Sequence, residues 1–383
     1  MNRRIRIVHL ITGMETGGAE RMLHKLLSQS DRSCFDHSVI VMTAGGPMAE
    51  AFGNLGLPLH FLAMPRGRPD PRGLWRLWRL LRQIRPDILQ TWLYHADLLG
   101  AVIARLFAIP RLIWSLRCSY MDLSQYSRLL RLTLWLLARL SRWPDVVLVN
   151  SMAGQILHQQ LGYRPRAWRF IANGFDVQQY RPDEVARQRI RTELGIPAES
   201  PVIGMVARFD PMKGFDLCLT TAARLQAERP DCHWLLVGPG VTADNPFFAS
   251  ALADPSLQGR LHLLGRRQDI PALYAACDVV ISASVGEGFA NVIGEAMACG
   301  IPCVVTDVGD SAWVVAEQGL VVPAADAAAM TRACIQLIDM DTLQRQQLGI
   351  AARQRIIDHF SLAVIVDRYQ VLYQELYHGS AVS

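Results

Sequence analysis

Val279-Val280-Ile281-Ser282-Ala283-Ser284-Val285-Gly286-Glu287-Gly288-Phe289-Ala290-Asn291-Val292-Ile293-Gly294-Glu295-Ala296-Met297-Ala298 reads as a strand, a glycine loop and a helix. The opening run of β-branched residues is the pattern of a strand buried on both faces. Gly286 and Gly288 permit close approach of backbone to a ligand. Two carboxylates follow, Glu287 in the loop and Glu295 on the helix, eight residues apart and so a little over two turns along a helix. Carboxylates accept hydrogen bonds from vicinal diols well, so one can hold sugar hydroxyls at the loop while the other holds hydroxyls about a helix-width further along. A helix-capping Glu287 and a surface Glu295 would give the same letters. Ile293, Ala296, Met297 and Ala298 make the helix largely apolar, which argues against simple solvation of Glu295.

Upstream, Ala207-Arg208-Phe209-Asp210-Pro211-Met212-Lys213-Gly214 follows a strand at 202–207 and precedes a helix at 216–225. A strand end leading into a helix N-terminus is a natural anion site. Arg208 brings a planar fork and Lys213 a mobile point charge, a combination suited to a diphosphate. Two solvated loop charges would look the same in sequence. The chain holds 39 Lys and Arg, of which two are lysine, Lys25 and Lys213. A lysine kept at 213 in so arginine-rich a chain favours the phosphate reading.

The same alternation extends in both directions. Strands are expected at 4–11, 38–42, 59–63, 88–92, 112–116, 146–150 and 169–171, with helices at 19–27, 47–55, 74–84 and 96–106. A second series runs through 233–237, 261–264, 279–282, 303–306 and 319–322. Strands separated by helices imply parallel, doubly wound sheets. The fold class is α/β, with two Rossmann-like domains of similar size, 1–180 and 181–362. A C-terminal helical stretch at 363–383 is placed to pack back toward the first domain. The polar, Pro- and Gly-punctuated stretch at 180–200 reads as the linker. Open parallel sheets bind ligands beyond the carboxyl ends of their strands, so both domains are expected to face one cleft.

Composition narrows the class. The chain of 383 residues is 51% hydrophobic and 19% charged, which excludes a disordered chain. No apolar run reaches the roughly 18 residues that span a bilayer; the greasy stretch at 129–140 is interrupted by Arg131 and Arg139. The N-terminus lacks the pattern of a signal peptide, and a cytoplasmic protein is expected. The 8 cysteines form no C-x-x-C pair and read as buried reduced thiols. The net charge of +5 conceals an asymmetry. Residues 1–181 hold 24 Lys and Arg against 11 Asp and Glu, and the remainder hold 15 against 23. The basic half should prefer an anionic partner.

With these motifs in place, the chain resembles the GT-B glycosyltransferases of family 4 (group 1), of the bacterial cell-surface polysaccharide type, over nearly its whole length. Four segments carry the resemblance in order. They are Thr16-Gly17-Gly18-Ala19-Glu20-Arg21, Ile171-Ala172-Asn173-Gly174-Phe175-Asp176, the stretch from Arg208 to Lys213, and the E-x7-E signature from Glu287 to Glu295. The resemblance implies that Glu287 holds the donor sugar, with backbone N–H groups of Phe289, Ala290 and Asn291 nearby, and that Glu295 holds the ribose. It implies that Arg208 and Lys213 neutralise the leaving diphosphate and that Gly17 and Gly18 approach it. His95, in Trp92-Leu93-Tyr94-His95-Ala96-Asp97, matches a histidine facing the donor sugar. The loop containing Arg266 would border the base. Arg117, at a strand end, would reach phosphate or acceptor, or else form a structural ion pair. Ala290 stands where proline is more usual.

The implied activity is sugar transfer with retention of anomeric configuration. A UDP-sugar, carrying a hexose, is favoured as donor. A lipid-linked or polysaccharide acceptor is expected, in exopolysaccharide, O-antigen or lipopolysaccharide synthesis. Family 4 enzymes generally use Arg and Lys in place of a metal, so no metal or other cofactor is expected. Asp339-Met340-Asp341 lies in a late helix-turn region and reads poorly as a metal site. The acceptor hydroxyl would attack on the face that the diphosphate leaves, with positioning and charge stabilisation supplying the catalysis. Residues 74–85 and 128–143 mix Arg, Leu and Trp, the composition of basic amphipathic helices that settle on anionic bilayers; core-packed helices with Arg on the wet face share it. A peripheral position at the inner face of the cytoplasmic membrane is expected, and nucleic acid is not, since no recognised binding module is present. The competing readings are a GDP-mannose-using transferase, a nucleotide-sugar epimerase or hydrolase of the same fold, and a non-catalytic nucleotide-sugar-binding scaffold.

Overall fold

The computed structural model describes residues 3–65, 70–118 and 127–379. It divides into two compact units, one of residues 1–174 with 362–383 and the other of residues 175–361.

The first unit runs β1 (Ile5–Ile11), α1 (Gly18–Gln29), β2 (Phe35–Val41), α2 (Ala49–Gly53), β3 (Leu59–Phe61), α3 (Pro71–Ile84) and β4 (Ile88–Trp92). It continues with α4 (Tyr94–Leu106), β5 (Arg111–Leu116), α5 (Arg128–Leu140), β6 (Val146–Val149), α6 (Met152–Gln160) and β7 (Trp168–Phe170). Its seven strands lie in the order β3-β2-β1-β4-β5-β6-β7, all parallel. Every residue of β4 and β6 is buried. Helices cover both faces of the sheet, which is why β6 reads as an unbroken apolar run; in β4 the buried Gln90 and Thr91 are paired with Ser115 and Asp97.

The second unit runs α7 (Glu184–Glu193), β8 (Val202–Val206), α8 (Phe215–Glu228), β9 (His233–Val237), α9 (Ala249–Ala253), β10 (Leu261–Leu263), α10 (Ile270–Ala276) and β11 (Val279–Ser282). It ends with α11 (Asn291–Ala298), β12 (Cys303–Thr306), α12 (Ser311–Val315), β13 (Gly319–Val322), α13 (Ala327–Ile338) and α14 (Thr342–Phe360). Its six strands take the order β10-β9-β8-β11-β12-β13, again all parallel. A final helix, α15 (Leu362–His378), belongs to the first unit. There Tyr369, Leu372, Tyr373 and Leu376 are buried, the Tyr373 hydroxyl donates to Gln90 at 2.5 Å, and Arg111 donates to the Leu376 carbonyl at 2.7 Å.

Two expectations change. The stretch at 180–200 is not a linker: it contains α7, docked on α10. Its cap is Asp183, which accepts from the Ala186 N–H at 2.9 Å. Arg187 and Arg191 clamp the two oxygens of Asp278 at 2.8 and 2.7 Å, and Ile190 is buried. A helix held mainly by a half-buried charge cluster carries little apolar stripe, so its periodicity was invisible. The division between the units falls at Gly174 and Phe175, ahead of Tyr180. Arg353 on α14 donates to the carbonyls of Val177 and Tyr180 at 2.9 and 2.8 Å, and Phe175 N–H donates to Phe360, which ties residues 175–180 to the second unit. Of the cysteines, six are buried as expected, Cys34 is exposed and Cys118 is half-buried.

Candidate functional site

The order β9-β8-β11-β12 reverses direction between β8 and β11. At such a switch point the loops leaving neighbouring strands diverge and open a crevice beyond their carboxyl ends. The loops leaving β8 and β11 are the ones that hold Arg208 and Lys213, and Glu287. The first sheet reverses between β1 and β4. The loops there lead to Gly17 and Gly18 and to His95.

The β8 loop is built locally. Asp210 caps the short turn Pro211–Lys213, accepting from Met212 N–H at 2.9 Å, and its other oxygen takes Arg208 at 2.9 and 3.1 Å. These contacts hold the Asp210 carboxyl below its ordinary pKa, the Met212 N–H bond contributing most. Gly214 closes the turn at φ +69°, where a Cβ would lie 1.9 Å from the Ala283 carbonyl oxygen. Glycine is therefore required both for the conformation and for the fit. Val285 N–H donates to the Met212 carbonyl at 2.9 Å, which fastens the β8 loop to the β11 loop.

Across that seam the Lys213 ammonium donates to Glu287. The Ser284 hydroxyl donates to the same carboxylate oxygen at 2.8 Å. The Lys213 and Glu287 side chains are 24% and 12% exposed, half-buried enough for the pair to be oriented and open enough to exchange partners. From the other side Gly309 (φ +57°) lies so close that a Cβ would stand 2.4 Å from the Glu287 carbonyl oxygen, and Asp310 N–H donates to the Gly288 carbonyl at 2.9 Å. Glu287 is thus pinned from three loops.

Glu295 sits on α11, half-buried, and accepts from the buried Tyr274 hydroxyl at 3.3 Å. Phe289 and Ala290 are buried; Phe289 stacks on Phe175, ring centroids 6.1 Å apart. Ala290 caps α11 with no side-chain hydrogen bond, and Asn291 is the first helical residue. Arg266 is exposed in the loop after β10, while its neighbour Arg267 is tied to Asp269 and Glu193. Of the two aspartates weighed as a metal motif, Asp339 pairs with Arg229 and Asp341 caps α14.

In the first unit Gly17 caps α1 and Gly18 opens it. Nothing lies within 4 Å of a Cβ built on Gly18, whereas one on Gly17 would stand 2.5 Å from Glu20 Oε2. Glu20 is buried, and burial raises its carboxyl pKa. His95 is exposed in the first turn of α4 and its pKa is lowered by desolvation. It follows Leu93, which takes φ +76°, a strained conformation for a branched side chain. The flanking residues hold that strain in place. The Tyr94 hydroxyl bonds His158 at 2.9 Å. Asp97 is fully buried, accepts from Thr91, and is pushed well above the carboxylate range by burial. Arg117 donates to Asn173 at 2.8 Å and to the Tyr369 hydroxyl, with its guanidinium 4.9 Å from the Trp92 ring centre. Its partners are neutral, so it forms no ion pair among the described residues.

Ser284, Tyr274, Asp210 and Gly309 had no role assigned from sequence. Ser284 stands in the loop of the first quoted stretch and Asp210 inside the other, so position alone marked them. Tyr274 and Gly309 come from other strand–helix crossings and carry no local signal.

Comparison with known proteins agrees with this fold. The model described as "Glycosyltransferase Family 4" matches residues 16–179 and that described as "Glycosyl transferases group 1" matches residues 200–340. The chain is 26% identical over 313 residues to an Escherichia coli UDP-Gal:alpha-D-GlcNAc-diphosphoundecaprenol alpha-1,3-galactosyltransferase, covering 80% of each chain. It is 25% identical to the Rhizobium meliloti lipopolysaccharide core biosynthesis glycosyltransferase LpsE, covering 95% of this chain and 98% of that one. The fold matches that of Anabaena HepE in complex with UDP, with a TM-score of 0.84 at 23% identity over 97% of this chain and 100% of that one. With its motifs at the switch points of two Rossmann-like sheets, the chain belongs to the family 4, group 1 glycosyltransferases of GT-B fold.

Proposed function

We propose that this glycosyltransferase is a retaining, metal-independent enzyme that moves a sugar from a UDP-sugar to a lipid-linked or polysaccharide acceptor in cell-surface glycan synthesis. The observation that carries the reading is the Lys213–Glu287 pair at the β8–β11 switch point. A cation and a carboxylate held together there are matched to a diphosphate and a sugar bound side by side. On donor binding Lys213 exchanges Glu287 for a phosphate oxygen, and Arg208 turns from Asp210 to do the same. Glu287 is then available to sugar hydroxyls. Negative charge grows on the leaving diphosphate as the glycosidic bond breaks, and two cations aimed at it lower the barrier. The acceptor hydroxyl attacks the anomeric carbon on the same face, and its proton passes to the departing phosphate oxygen. UDP is favoured because the named donor of the Escherichia coli relative is UDP-Gal and HepE was crystallised with UDP and UDP-glucose. The diphosphoundecaprenol acceptor of that relative supports a lipid-linked acceptor.

A peripheral place at the membrane fits the first unit. Among the described residues no helix is long and apolar enough to cross a membrane. α3 packs Leu77 and Leu81 inward and leaves Trp75 exposed, and α5 buries Leu134 and Leu137 while leaving Leu129, Leu132 and Trp135 exposed. Apolar side chains beside Arg128, Arg131 and Arg139 are the composition of a surface that rests on anionic lipid.

The test is thermal stabilisation of the purified full-length chain by UDP, GDP, ADP and their sugar conjugates, with and without EDTA. A ligand at 100 times its dissociation constant should stabilise by roughly 2.7 kcal/mol. UDP and one UDP-sugar should raise the melting temperature equally in EDTA. Stabilisation by GDP alone would reassign the donor, loss in EDTA would overturn metal independence, and an inverted product anomer by NMR would overturn retention.

A further inference from the structure

At the opposite edge of the first sheet, where β6 and β7 begin, lies an open hollow of about 340 Å³ lined by Arg142, Arg164, Arg166, Gln159, Tyr163 and Trp168. It is a strand's length from the loops at the carboxyl ends, roughly 15 Å at 3.3 Å per residue. Three arginines line it and no carboxylate does. Helix carbonyl ends attract cations, and that accounts for Arg164, which donates to the carbonyls of Gln159 and Tyr163 at 3.4 and 3.3 Å. It does not account for Arg142 and Arg166, both exposed and without a carboxylate partner among the described residues. At two other places a carboxylate is set among neighbouring arginines. Arg187 and Arg191 share Asp278. In a larger hollow of about 640 Å³ where β1 and β4 begin, Asp87 takes Arg3 and Arg6.

We propose that the Arg142–Arg164–Arg166 hollow is a second anion site of this enzyme, taking a terminal phosphate group that the guanidinium forks grip bidentately. The half-buried Trp168 gives the group that carries the phosphate an apolar wall. α5 runs directly into this site through Arg142. Its exposed Leu132 and Trp135, with Arg139 4.0 Å from the Trp135 ring centre, place an apolar, basic surface beside the hollow. That favours the headgroup of an anionic lipid as the source of the phosphate, with a soluble phosphorylated compound as the other source. The lipid source rests on the membrane reading above; the phosphate site does not.

The experiment compares the full chain with the double variant Arg142→Lys, Arg166→Lys. The variant keeps every charge and removes the forks, so diffuse attraction to a membrane survives in it and bidentate grip does not. In the first arm, binding to vesicles of phosphatidylcholine containing phosphatidic acid should weaken about tenfold in the variant, with both proteins indifferent to phosphatidylcholine alone. In the second arm, both proteins also carry Lys213→Ala to silence the donor loop, and inorganic pyrophosphate is added in a thermal melt. Stabilisation that is lost in the lysine variant, without a difference on vesicles, assigns the site to a soluble phosphate. If neither protein binds vesicles, the membrane reading falls and the melt alone decides. Equal behaviour of the two proteins in both arms overturns the site.

Discussion

Lys213 holds Glu287, Glu287 is braced by Ser284, and Glu295 is braced by Tyr274. Each contact sets a separate expectation. Lys213→Ala removes the mobile cation but no buried apolar surface. It should lower kcat/KM by about 10²–10³ with the melting temperature little changed. Near-normal turnover would sink the role of Lys213 at the diphosphate. Tyr274→Phe takes one hydrogen bond from Glu295 and nothing from Glu287. If Glu295 holds the ribose in ground and transition states alike, KM for the donor should rise several-fold while kcat stays put. A fall in kcat at constant KM would instead place Glu295 in the chemical step.

Elements are held by unlike means. α11 and α8 bury apolar faces, whereas α7 is docked through Arg187, Arg191 and Asp278. The Arg191 side chain is 5% exposed and Asp278 12%. Asp278 also accepts from Val202 N–H at 2.8 Å, so one carboxylate anchors a helix and the start of a central strand. Asp278→Asn keeps the shape but turns an amide N–H₂ toward a guanidinium and leaves both cations without a counter-charge. The loss should be about 3 kcal/mol, read as a lower urea midpoint. A loss below about 1 kcal/mol would show that packing on α10 suffices to hold α7. α4 shows strain placed beside a candidate functional residue: Leu93 accepts φ +76° because Tyr94 and Asp97 are both fixed.

Over the whole molecule, buried neutral histidines tie stability to pH. In the first unit Trp92 Nε1–H donates to His9 Nδ1 at 3.3 Å, so His9 carries its proton on Nε2 and gives it to His37 at 2.9 Å. His37 in turn donates to Ser30 at 2.7 Å. Every ring nitrogen is used, and a further proton would set donor against donor. Desolvation lowers His37 and His158 to about 4. In the second unit desolvation, then Arg260, lowers His233 to about 4. A folded-state pKa below the ordinary 6.5 means that the unfolded chain binds more protons. The stability from these groups is therefore full above pH 6.5 and is lost as pH falls toward 4. Melting temperature should drop steadily across that window, and less steeply in His37→Gln. A flat profile between pH 6.5 and 4.5 would contradict the buried neutral state.

The alternation of apolar runs with helical stretches was enough for two parallel α/β units. A strand covered on both faces is mainly apolar: Val146–Val149 is so throughout and residues 279–281 are too, while the buried Gln90 and Thr91 inside Ile88–Trp92 are paired with other side chains. Glu287, Glu295, Arg208 and Lys213 were legible because each lies in a segment that leaves a strand and opens a helix, where local backbone geometry and chemistry coincide. Strand order was not legible, since hydrophobic periodicity says that a strand is buried and not which strand lies beside it. The reversal between β8 and β11, and with it the meeting of Lys213 and Glu287, was decided by the tertiary structure. So were the bracing of Glu295 by Tyr274, the docking of α7 through charge, and the return of α15 to the first sheet. Each depends on residues far apart in the chain, whose pairing follows from the packing of whole elements rather than from any local pattern.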